Sequence, residues 1–207
     1  QGLGRARQID TDLSYLELVA RILSGLGPAV LCVFLLWRDG VLGRSMFARR
    51  SVGFTTGWGA LTFACIFGAA IVGGLIIAVI QAALGSDALR NVNGDTDLTV
   101  RYLLVALGLS ITAGVSEEAV WRGYGTARVE QAGYPRAALF APSIIWVLLH
   151  VYGGPYTLLG VAFIGAPIVW MAWWKRSVWP LMVAHAAWDV FAFLIATVNQ
   201  PDAILRL

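Results

Sequence analysis

Residues 98–125 read LTVRYLLVALGLSITAGVSEEAVWRGYG. The run is apolar enough to enter a hydrocarbon core of about 30 Å, which a helix of roughly 20 residues crosses. Yet it carries Glu117 and Glu118 side by side, with Arg122 one turn after the second. A charged side chain at the bilayer centre costs about 2.5–3.5 kcal/mol on insertion scales, so such a cluster marks a functional site. Two further apolar runs each hold one histidine, His150 and His185, the two histidines of the chain. Ionisable groups in separate apolar segments are least costly to bury when they meet one another around water.

Composition sets the class. Of 207 residues, 58% are hydrophobic and 13% charged, against about 25% charged in a soluble domain. The fold expected is all-α: a polytopic transmembrane helical bundle in which 1–207 form a single integral membrane domain and 98–198 the motif-bearing catalytic core. About six membrane segments are predicted, at 16–37, 54–84, 98–125, 137–152, 156–174 and 178–198. The fourth is short and ends at Gly153-Gly154-Pro155, a sequence that breaks a helix. Irregular backbone at membrane depth is tolerated where protein or water covers it, so a cavity is expected beside His150.

The net charge of +3 does not imply nucleic acid, because the basic residues fall in short clusters between apolar runs. Arg38, Arg44, Arg49 and Arg50 follow the first run, Arg128 and Arg136 the third, Lys175 and Arg176 the fifth, while Asp87, Asp95 and Asp97 follow the second. The positive-inside rule then places the odd-numbered connections in the cytoplasm and both termini outside, although Arg5 and Arg7 pull the other way. On that orientation Glu117 and His185 lie towards the cytoplasmic side, whereas His150 comes late in an outward-going run. A shortened or re-entrant fourth segment reconciles the three depths. The chain opens on Gln1 without an initiator Met, and no cleavable signal peptide is read in it. The excess of Arg over Lys points to a GC-rich bacterial gene, and the location expected is the bacterial inner, or plasma, membrane. Cys32 and Cys65 lie in apolar runs without metal or redox spacing and read as small core residues.

Residues four apart share a helix face. Glu118 and Arg122 therefore pair, while Glu117, rotated by about 100°, points elsewhere. Glu118 is read as held ionised by Arg122, a structural pair, and Glu117 as a general base facing a cavity. The plainer reading is an Arg with a doubled acidic partner at the end of a long helix. His185 and Asp189 are also four apart, as are Trp146 and His150. A lone histidine in an apolar helix is more often a core residue than a catalyst, and it is the combination with the Glu pair that favours a site. Trp170, Trp173, Trp174 and Trp179 bracket Lys175 and Arg176, where an interfacial aromatic belt is expected. Trp121, Trp146 and Trp188 lie within the motifs instead and are candidates for the wall of a substrate cavity.

Glu117-Glu118-Ala119-Val120-Trp121-Arg122 resembles the EExxxR motif of the CAAX protease and bacteriocin-processing family, also labelled the abortive-infection family. Trp146 to His150 is similar to its FxxxH motif and His185 to Asp189 to its HxxxN motif, in the same order. The resemblance implies a glutamate-dependent intramembrane endopeptidase in which Glu117 and His150 activate water, while His185 and, less securely, Asp189 stabilise the oxyanion. It departs from the family at Trp146, which replaces Phe, and at Asp189, which replaces Asn. An ionised carboxylate accepts hydrogen bonds and repels an oxyanion, so Asp189 is protonated, orients His185, or marks other chemistry. Two alternatives to peptide hydrolysis therefore stay open: a cyclase- or isomerase-like enzyme acting on an isoprenoid or other lipid, and a catalytically silent binding or immunity protein. No cofactor is expected; two His and two Glu are acceptable zinc ligands, but the metal-free reading is preferred because a Glu and His pair activates water without an ion. The partners expected are membrane lipids and a peptide or prenylated, lipid-like substrate, with no nucleic acid.

Overall fold

The structure, a computed structural model, describes residues 15–84 and 100–198. Among the described residues it is helical, without strands. Helices α1 (Tyr15–Arg38) and α2 (Val52–Leu84) precede α3 (Val100–Glu117), which passes without interruption into a π-helical segment (Glu118–Gly125) and then α4 (Thr126–Gln131). A short α5 (Phe140–Leu148), a 3₁₀ turn (Val151–Gly153), α6 (Gly154–Lys175) and α7 (Trp179–Val198) complete the bundle. Among the described residues, four helical stretches are long and apolar enough to cross a membrane: Val19–Arg38, Val52–Leu84, Leu104–Gln131 and Phe140–Lys175. Against the six segments expected, the fourth and fifth fall within the single stretch Phe140–Lys175, and the last is the shorter apolar helix Trp179–Ile195. The aspartate-bearing connection and both termini lie outside the described residues.

α2 packs on α6 and α7, and α3 packs on α1 and α7. Leu36, Ile66, Ala119, Ile168, Met171 and Leu181 are buried where these helices meet. α3 and α7 cross with their backbones nearly touching. A Cβ placed on Gly114 lands 2.9 Å from Cα of Ala186, the close approach that small residues permit between membrane helices. That crossing sets the two glutamates of α3 and the π segment beside the histidine of α7. Ser116 ties the same stretch to α1 by donating to the Gly25 carbonyl at 2.7 Å.

The odd-numbered connections gather at one end of the bundle. Arg128 donates to Asp39 at 2.6 Å, Arg176 pairs with Glu130, and the Val178 amide donates to the Met46 carbonyl at 3.0 Å. Hydrogen bonds from Arg128 and then Arg38 hold the Asp39 carboxyl below its usual range. The aromatic residues flanking Lys175 lie at this basic end too: its ammonium sits 3.5 Å from the Trp58 ring centroid and 3.4 Å from that of Trp174.

α5 spans only nine residues, about 14 Å at 1.5 Å per residue. It stops because His150 to Gly154 form a tight turn in which the Gly153 amide donates to the His150 carbonyl. Gly154 takes φ +85°, a conformation open to glycine without strain, and Pro155 then sits in the first turn of α6, where its missing donor is no loss. α6 folds back beside α5. A Cβ on Gly165 lands 2.9 Å from the Trp146 ring, so the absent side chain leaves room for that indole.

Candidate active site

Glu117 and Glu118 have different surroundings, as their rotation about the helix requires. Glu118 is fully buried. Its Oε1 accepts from Arg122 Nη1 at 3.1 Å and from His185 Nδ1 at 2.8 Å. Arg122 is also fully buried and lays its guanidinium 4.2 Å from the Trp146 ring centroid, a desolvated cation–π contact. Glu117 is half-buried and turns to the other side, where its Oε2 accepts from the Trp146 indole Nε1 at 2.5 Å. The backbone that separates them is π-helical from Glu118 onward, a wide turn that frequently occurs at functional sites. Gly123 within it packs against the Phe47 ring with no space for a side chain.

Trp146 is the piece common to the whole cluster. It is buried, bonds Glu117, covers Arg122, and meets the imidazoles of His150 and His185 edge-on with ring centroids 5.1 and 5.9 Å away. Its chain position four residues before His150 also fixes that ring: His150 Nδ1 lies 2.9 Å from the Trp146 carbonyl. A carbonyl only accepts, so this geometry assigns the proton to Nδ1 and leaves the Nε2 lone pair available. Tyr152 stacks on His150 at 6.1 Å. The short α5 thereby brings Glu117 and His150 to the same indole.

His185 is oriented differently from the sequence expectation. Its close partner is Glu118, whereas Asp189 Oδ2 lies 3.8 Å from its Nε2, too far for a hydrogen bond. Asp189 instead lines a cavity of about 450 Å³ with Leu109, Ser110 and Ala113, between α3 and α7. The helical spacing brings Asp189 to the right face of α7, but the α3–α7 crossing supplies a nearer carboxylate. Nor do the three motif tryptophans form one wall. Of the three, Trp146 has the ring contacts with the ionisable cluster given above; Trp188 packs against Phe191 at 5.8 Å, and Trp121 is half-buried. Among the described residues, no group of three His, Cys, Asp or Glu side chains is arranged to hold a metal ion.

The model of Rce1-like proteins, type II CAAX prenyl endopeptidases, matches residues 99–191. Over that stretch, just under half of the chain, the protein is similar to the CAAX prenyl endopeptidases. The match includes Glu117, Glu118, Arg122, Trp146, His150, His185 and Asp189, the positions on which the resemblance was read, and all but Asp189 meet within the contacts described above. With its apolar helices, the chain is an integral membrane protein. No curated protein matches the chain at a significant level. No solved structure does so either.

Proposed function

We propose that the protein is an intramembrane endopeptidase that hydrolyses a peptide bond with water activated by Glu117 and His150. The observation that carries this reading is the meeting of Glu117, His150 and His185 from three separate segments around one buried indole. With Oε2 held by Trp146, Glu117 offers Oε1 to a water molecule and takes its proton, while the free Nε2 of His150 accepts that water's second hydrogen as a hydrogen bond. The hydroxide adds to the scissile carbonyl. The oxyanion of the tetrahedral intermediate accepts from His185 Nε2–H when that ring carries both protons, with Nδ1–H donating to Glu118. On collapse the carbon–nitrogen bond breaks, and the amine leaves with the proton that Glu117 had taken. Glu118 and Arg122 act through others as positioning residues, holding His185 and supporting Trp146. Purified protein incubated with a library of quenched fluorescent peptides, farnesylated and unmodified, tests the reading. Cleavage by the wild type that is lost in Glu117→Gln and in His150→Gln, with unchanged thermal midpoints, is expected; cleavage that survives both contradicts it.

A further inference from the structure

The groove between α5 and α6 reaches Arg122 at its inner wall, but Glu117, His150 and His185 do not line it. Phe140, Ser143 and Ile144 face Gly165, Trp170 and Trp173 across a cavity of about 500 Å³, within the roughly 300–1,000 Å³ of small-molecule sites. Phe140, Ile144, Trp170 and Trp173 are exposed on the outside of the bundle, so the groove opens sideways, to the region that lipid tails occupy. At the basic end it continues into a second cavity of about 440 Å³, which shares Phe140 and Trp173 and adds Arg136 and Arg176. An apolar slot thus leads into a cationic mouth, with indoles at the boundary.

We infer that this joined cavity binds one anionic membrane phospholipid, with an acyl chain in the α5–α6 groove and its phosphate between Arg136 and Arg176. Charge complementarity selects the head group. Arg176 is paired with Glu130, but Arg136 has no acidic partner among the described residues, so the mouth keeps a net positive charge. Guanidinium groups present planar donors that suit phosphate oxygens, whereas a choline head group brings a cation back to the arginines. Location agrees with chemistry. The mouth lies at the end where the basic connections gather, the end that the positive-inside rule assigns to the leaflet rich in anionic lipid. Trp170 and Trp173 stand at the depth where indoles border head groups and tails.

Native mass spectrometry tests this without reference to catalysis. The full chain in detergent is given equal amounts of phosphatidylglycerol and phosphatidylcholine with identical acyl chains. Retention of phosphatidylglycerol over phosphatidylcholine is expected. Arg136→Gln and Arg176→Gln should each lower phosphatidylglycerol occupancy by about fivefold, the effect of one basic residue near an anionic surface, and leave phosphatidylcholine unchanged. Ala166→Trp, which fills the groove from its exposed wall, should lower both. Because Arg176→Gln also breaks the Glu130 pair, Arg136→Gln carries the test of the head group, and Arg136→Lys should restore part of the preference. Equal retention of the two lipids by the wild type, a preference that survives Arg136→Gln, or indifference of both lipids to Ala166→Trp overturns the inference.

Discussion

The indole of Trp146 donates to the Glu117 carboxylate at 2.5 Å across 29 positions of sequence. A phenylalanine in its place, the family's usual residue, has no such donor. Trp146→Phe should keep the edge contacts to both imidazoles and the fold, but free Glu117 to rotate. Removing a hydrogen bond to a charged group costs about 1.5–3 kcal/mol, and kcat for peptide cleavage should fall by about tenfold or more with little change in KM. Steady-state kinetics on a cleaved peptide from the library provide the check; an unchanged kcat assigns Trp146 to packing alone.

The Glu118–Arg122 pair has no exposed atom to hydrate. Truncating either partner leaves a buried charge uncompensated, at about 3–5 kcal/mol. Arg122→Ala and Glu118→Ala should therefore accumulate poorly in the membrane and unfold at lower temperature, while the double replacement Glu118→Leu with Arg122→Met recovers most of the loss. Thermal midpoints of the three variants check this. A double variant as unstable as the worse single one is the contrary result.

Asp189 stands near His185 without bonding it. Asp189→Asn installs a neutral amide donor beside the place where His185 faces the substrate. Loss of one built oxyanion donor costs about 10²–10³ in rate; an added, unoptimised donor should raise kcat by up to about tenfold. A fall in kcat on this change shows that the carboxylate itself takes part.

Asp39 links the first connection to α4 through Arg128. Its folded pKa is lowered by Arg128 and then by Arg38, so its contribution to stability is present above the unfolded value of about 3.9 and is lost as pH falls through the lower folded value. Asp39→Asn should lower the thermal midpoint slightly at pH 7 in low salt, and the difference should shrink as pH falls below about 3.9. Midpoint differences measured across that range decide; a gap that widens in acid has the wrong sign.

The order of helices and the stop after His150 were legible because both are local: apolar runs of membrane length, and Gly153-Gly154-Pro155 closing a short one. The separation of Glu117 from Glu118 was legible for the same reason, since adjacent positions on a helix diverge whatever packs around them. The partner of His185 was not. Spacing within α7 offers Asp189, whereas Glu118, 67 positions away, becomes the nearer carboxylate through the close crossing at Gly114 and Ala186. The π turn from Glu118 to Gly125 was equally hidden, for nothing in the order of those residues distinguishes it from the α-helix it interrupts. Trp146 was readable as a bulky replacement in a motif, but its bond to Glu117 depends on how far α5 enters the bundle, and that is set by tertiary packing against Gly165.

The central claim is that Glu117 takes the proton of the attacking water. Membranes from cells that accumulate equal amounts of wild type and Glu117→Gln should be compared by mass spectrometry for new peptide termini. Termini present with the wild type and absent with Glu117→Gln are the predicted result. Identical peptide termini in the two, whether or not their lipids differ, contradict it.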